Sequence, residues 1–161
     1  MELHPLVSAA LAATGVTHEV MACDPSLADT ARFCDHYGID PADSANTIVV
    51  VSKKPAGVMA ACVVLATTRL DVNHTVRNRL GVRKLSFAGA EETVALTGMM
   101  IGGVTPFGLP TDLPLLVDAA VMDRPRIVLG GGNRSTKILL SPAGLASLPN
   151  ATVVEGLASA I

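Results

Sequence analysis

Apolar residues recur at near-helical spacing from Leu3 to Thr14 and stop at Gly15, a residue suited to ending a helix, so the chain opens with a predicted helix. VTHEVMAC then alternates as a short strand does. SLADTARFCDHYG reads as a second helix, opened by Ser26 and Asp29 in a variant of the capping box and closed at Gly38. NTIVVVS and GVMAACVVLATT are β-branched runs separated by Lys53, Lys54, Pro55, Ala56 and Gly57, a pattern of neighbouring strands joined by a tight turn. Their unbroken apolar character implies burial on both faces. Further on, Asn73 is placed to cap a short helix through Leu80, KLSFA reads as a strand, and AEETVALTG as a helix ending at Gly98. LPLLVDAAV, RIVLGGG and KILLS are three more expected strands, and PAGLASLP a short helix begun by a proline. The sum, about seven strands and five helices in mixed order, predicts an α+β fold whose mixed, partly barrel-like central sheet is surrounded by helices.

Composition sharpens this picture. At 161 residues the chain is expected to form a single domain over 1–161 with a sizeable core. Half the residues are hydrophobic and 16% are charged, which excludes a disordered chain, while no apolar run approaches the roughly 20 residues of a membrane span. The opening MELHPLVSAALAATG has an acid at position 2 and no basic run, unlike a signal peptide, so a cytoplasmic location is expected. Cys23, Cys34 and Cys62 are odd in number and lack CxxC spacing, which suggests neither a disulfide framework nor a zinc site. A net charge of −2 gives no global attraction to nucleic acid, so RNA contact requires a local basic patch.

Three stretches carry candidate chemistry. GGVTPFGLP, residues 102–110, combines glycines that permit close backbone approach with prolines that fix φ. It suits either gripping a small polar ligand through main-chain groups or an irregular crossover from helix to strand. GGGNRSTK, residues 130–137, has an anion-binding composition without Walker spacing, but it reads first as a glycine-rich hairpin with a solvated charged tip. Arg69, Arg77, Arg79, Arg83 and Lys84 form the densest basic region, either a phosphate-contacting surface or a solvated helix face. The histidines His4, His18, His36 and His74 are scattered without metal-site or general-base spacing, and no nucleophile elbow occurs. With three Phe, one Tyr and no Trp, no aromatic platform for stacking bases is expected.

Taken in order, NTIVVVS, AACVVLATTRLDV, VRKLSFAGAEETVALTG, GGVTPFGLP, LLVDAAV and RIVLGGGNRSTKILL resemble the YbaK/EbsC family, the prolyl-tRNA-synthetase-associated editing domain in free-standing form. The resemblance spans about Val16 to Leu148, and its most specific element is the Gly-Gly-x-[Ser/Thr]-Pro-x-Gly loop behind a Thr-Gly helix end. It implies a metal- and cofactor-independent aminoacyl-tRNA deacylase. Such an enzyme cleaves the ester between a wrong amino acid and the 3'-terminal adenosine, typically of tRNA(Pro) bearing Ala or Cys. Its partners would be the aminoacyl-tRNA 3' end and, transiently, a synthetase, with neither DNA nor membrane involved. Water, or the substrate's own hydroxyl or thiol, would attack the ester without an enzyme nucleophile.

The family's site residues carry over unevenly. Members typically have Lys-Thr at the start of the first central strand, where this chain has Asn46-Thr47, so the usual cation is missing. Lys137 stands where some relatives have an acid, which implies that the cation has moved to the other wall of the pocket or that Lys137 simply points to solvent. The resemblance assigns catalytic positions to Asn46, Thr47 and Lys137, and substrate binding to Gly102, Gly103, Thr105, Pro106 and Gly130, the last a serine in some relatives. Met21 and Cys23 would lie at the mouth, with Thr30 near the start of the second helix. Two other readings remain: a catalytically impaired module that binds aminoacyl-adenosine or another small ligand, and a hydrolase for a different small ester or amide.

Overall fold

The computed structural model describes residues 2–161. Helix α1 (Pro5–Thr14) starts behind His4, whose Nδ1 accepts from the Leu6 amide at 3.1 Å, and ends on Gly15 at φ 67°. Strand β1 (His18–Ala22) and helix α2 (Thr30–Tyr37) follow, then the long hairpin of β2 (Ala45–Lys54) and β3 (Ala56–Leu65). After β4 (Thr68–Leu70), a π-helical turn at Val72–Val76 leads into α3 (Arg77–Leu80) and β5 (Lys84–Phe87). Helix α4 (Ala90–Thr97) ends on Gly98, and the glycine-proline loop connects it to β6 (Leu115–Asp118) and α5 (Ala119–Met122). Strands β7 (Ile127–Gly130) and β8 (Thr136–Leu140), helix α6 (Ala143–Ala146), and strands β9 (Ala151–Val154) and β10 (Ala158–Ala160) complete the chain.

The main sheet has strand order β5-β2-β3-β6-β9, antiparallel up to β3 and parallel from β3 through β9. A second sheet, β1-β8-β7, is joined to it by a parallel bridge between Ser44 and Val128. The two sheets meet at that bridge, in the mixed, partly barrel-like α+β architecture anticipated from the sequence. Strand β3 shows why its apolar run is continuous. Ala61, Val63 and Leu65 pack into a core shared with Leu115, Phe107 and Ile138, while Ala60, Cys62 and Val64 pack into another with Val50, Val76 and Leu157. Alternate side chains of one strand thus fill two cores, and no position is left for a polar residue.

Several boundaries differ from the sequence reading. Ser26 does not cap α2; it sits in a 3-10 turn where the Asp24 carboxylate accepts from its amide at 2.9 Å. Asp29 holds the N-cap position of α2 without a side-chain cap bond. Asp71, rather than Asn73, accepts from the His74 amide at 3.2 Å and starts the turn before α3. LPLLVDAAV is a strand only to Asp118, after which two alanines and a methionine favour helix and Val121 packs inward. Strands β4, β9 and β10 were not anticipated, because three or four residues carry little periodic signal and their pairing is supplied by β6 and by each other.

Leu115 is fully buried in the middle of the main sheet. Leu115→Ala is expected to cost about 2–5 kcal/mol, read as a lower urea midpoint at unchanged slope.

Candidate functional site

Where the two sheets meet, a cavity of about 350 Å³ opens to solvent. Its walls come from the start of α2 (Ala28, Asp29, Thr30), the first half of β2, Thr93 of α4, the loop residues Ile101, Gly102 and Val104, the end of β7, and Lys137 of β8. No side chain on this wall is a Cys, His or activated Ser. The polar groups it presents are donors and acceptors, with Lys137 and Asp29 its charged members.

Lys137 sets the electrostatics. It pairs with Met21 on one side and Gly130 on the other, and is only 7% exposed, so the solvent-directed alternative is excluded. Its Nζ donates to the Ala28 carbonyl at 2.9 Å and lies 5.1 Å from the centre of the Phe33 ring, a cation–π distance. Burial lowers its pKa, since desolvation disfavours the charged form. An ammonium carries three donors, and one is committed to Ala28.

On the facing wall, Asn46 accepts through Oδ1 from Thr30 Oγ1 at 2.7 Å. That bond orients the amide and ties α2 to β2. Thr47 Oγ1 is buried without a hydrogen-bond partner, so the cavity wall carries one unused hydroxyl.

The two glycine-rich loops meet backbone to backbone. The Gly132 amide donates to the Gly103 carbonyl at 2.7 Å, and the Met100 amide to the Gly132 carbonyl at 3.0 Å. A Cβ on Gly103 would strike the Asn133 main chain, and one on Gly130 would lie 2.5 Å from the Gly103 oxygen. The loop's composition is thus explained first by this close approach. Gly102 and Gly130 line the cavity, but Gly103, Thr105 and Pro106 are buried and absent from its wall, because Gly103 is engaged by the second loop. Arg134, at the tip of GGGNRSTK, braces the mouth instead of standing in solvent. It donates to the carbonyls of Pro25 and Ile101, both at 3.1 Å, and lies 3.5 Å from Asp29.

Met21 and Cys23, expected at the mouth, are also absent from the wall. Cys23 is buried, and Met21 half-buried, in a small core with Phe33, Cys34 and Val128 behind Lys137. Conversely, Ser44, Thr93 and Phe87, which the sequence did not single out, line the cavity, as does Asp29, which it had given only a capping role. Phe33 and Phe107 are fully buried, but Phe87, at the end of an edge strand, is 57% exposed on the cavity rim. KLSFA gave the strand, but only the sheet order reveals that its last residue faces outward beside a cavity.

A chain with this sequence and this mixed-sheet fold has relatives among known proteins. Residues 24–148 match the family model of the aminoacyl-tRNA editing domain. The chain belongs to this family of deacylases, in its YbaK/EbsC branch. It is similar to the "Putative Cys-tRNA(Pro)/Cys-tRNA(Cys) deacylase EbsC" of Enterococcus faecalis, 26% identical over 121 residues that cover 75% of this chain and 72% of that protein. A crystal structure of a hypothetical protein superposes with a TM-score of 0.84 at 26% identity, covering 96% of this chain and 99% of that one. A crystal structure of "a putative trans-editing enzyme for prolyl tRNA synthetase" does so at 0.80 and 25%, covering 96% and 98%.

The lowered pKa of Lys137 has a signature in stability. Between its folded pKa and the ordinary value of 10.5 the unfolded chain holds the proton more tightly, so folding becomes more favourable as pH rises through that window. The difference in unfolding free energy between the native protein and Lys137→Met, from urea titrations at a series of pH values, is expected to rise with pH and level off near 10.5.

Proposed function

We propose that the protein is a cytoplasmic trans-editing hydrolase, a single domain over 1–161 that removes a wrong amino acid from a tRNA of the tRNA(Pro) class without a metal or cofactor. The observation that carries this reading is Lys137, a buried cation in a cavity wall that otherwise offers only neutral donors and the exposed carboxylate of Asp29. In the reaction, a water oxygen bonds to the ester carbonyl carbon, negative charge gathers on the carbonyl oxygen, and the bond to the ribose oxygen breaks. The water's proton passes to that ribose oxygen, which leaves free amino acid and an uncharged tRNA end. The two uncommitted Lys137 donors stabilise the oxyanion. Thr47 Oγ1 and the Asn46 amide nitrogen, which donates to no protein acceptor among the described residues, orient the ester and ribose. The 3' end is reached directly or in a transient complex with a synthetase.

The names of the relatives favour Cys or another small amino acid, and the modest cavity agrees. Replacement of the usual lysine by Asn46 favours a second reading, in which the module binds an aminoacyl-adenosine without turnover.

The deciding measurement is hydrolysis of tRNAs charged with Ala, Cys, Ser, Thr and Pro. The native protein is expected to cleave at least one, Lys137→Ala to lose about 10²–10³ in kcat/KM, and Thr47→Val about tenfold. If the native protein turns over none of them while Asn46→Lys does, the binding module replaces the deacylase.

A further inference from the structure

Although the chain is net acidic, its cations are segregated. Lys53, Lys54, Arg77, Arg79, Arg83 and Lys84, half of its twelve Lys and Arg, gather around the tip of the β2–β3 hairpin and the start of β5. The pairing is direct. Lys54 and Lys84 are register partners, the Arg83 amide donates to the Lys54 carbonyl at 2.7 Å, and the Val82 amide to the Arg77 carbonyl at 3.2 Å. Arg77 is half-buried and the other five are exposed. Among the described residues none of the six pairs with an acid, whereas Arg124, Arg126 and Arg134 all do.

From this cluster β5 runs along the open edge of the main sheet and ends at Phe87 on the cavity rim. At a strand rise of about 3.3 Å per residue, Lys84 and Phe87 are roughly 10 Å apart. The opposite end of this track is acidic: Asp29 lines the cavity, and Glu91 and Glu92 lie in the first turn of α4. The polarity suits a ligand that is anionic along its length and carries an ammonium at its end.

We propose that this edge is an RNA-docking track, with phosphates of the tRNA acceptor end on the cluster around Lys54, Arg83 and Lys84 and the terminal base against Phe87. The assignment rests on the deacylase reading for the substrate, but its basis is the charge pattern and the exposed ring. Phosphate contacts set affinity and make it salt-dependent, and a base stacks on an exposed aromatic whatever its sequence.

The test compares the native protein, Arg83→Glu/Lys84→Glu, the milder Arg83→Gln/Lys84→Gln, Phe87→Leu and, just before β7 of the second sheet, Arg126→Glu. Readouts are binding of uncharged tRNA over a salt series and hydrolysis of aminoacyl-tRNA and of 3'-aminoacyl-adenosine. Native binding is expected to weaken steeply with salt. The double Glu variant should bind at least about tenfold more weakly, with a salt slope shallower by about 2, and the Gln variant should fall between. Both should hydrolyse aminoacyl-adenosine as the native protein does. Phe87→Leu should weaken both substrates by about tenfold, because both carry the base. Arg126→Glu should change nothing. Unaltered tRNA binding in the double variants, an equal loss in Arg126→Glu, or displacement of tRNA by poly-glutamate charge for charge would overturn the track, and an unaffected Phe87→Leu would overturn the placement of the base. If the native protein binds tRNA in this pattern yet hydrolyses neither substrate, the deacylase reading fails and the track stands; hydrolysis of both substrates with indifferent variants is the reverse.

Discussion

The contact between Gly103 and Gly132 is the constraint on which the rest of the site depends. At 2.7 Å between amide and carbonyl, two loops from opposite sheets touch through their main chains, an approach that side chains would prevent. Because they touch, Gly102 and Gly130 are left facing the cavity and Arg134 comes within reach of Ile101 and Pro25. The Ser44–Val128 bridge closes the same seam from the strand side. The cavity is the space left where two sheets converge without merging.

Into that space the fold places a charge at some cost. A buried ammonium loses its hydration, and only part is returned by the Ala28 carbonyl and the Phe33 face. Among the described residues no carboxylate forms an ion pair with it, so its charge is not compensated by a partner of opposite sign. A protein stabilised for its own sake would place a methionine there. The burial of Lys137 is thus a cost to folding that leaves two of its three donors uncommitted at the cavity wall.

Sequence patterning made the fold legible where periodicity was long, as in β2 and β3, whose residues must satisfy two cores at once. It was silent for β9 and β10, which owe their extended shape to partners distant in sequence. For the site, the glycine loops were visible as composition, yet which glycines face the cavity depends on how the loops interlock. Gly103 and Pro106 are turned away for that reason. Lys137 was placed in the wall by family likeness, while its burial came only with the packing of α2 over β8. The bracing role of Arg134 carried no local signal, since its acceptors are carbonyls more than thirty residues away. Met21 and Cys23 went the way of most such side chains, into a core.

The floor beneath Lys137 extends one ring further. Phe33 packs against Tyr37 at 5.0 Å between centroids, and the Tyr37 hydroxyl accepts from the Asp24 amide at 2.9 Å, on the segment that leads into α2. Tyr37 is the lone tyrosine of a chain without tryptophan. Excited to the red of phenylalanine absorption, the protein therefore emits from one phenol, two aromatic layers below the cation, with no indole to drain its excited state. Occupancy of the cavity that shifts Lys137 or the start of α2 would be transmitted through Phe33 to that single emitter, so the unlabelled protein carries its own optical gauge of the site.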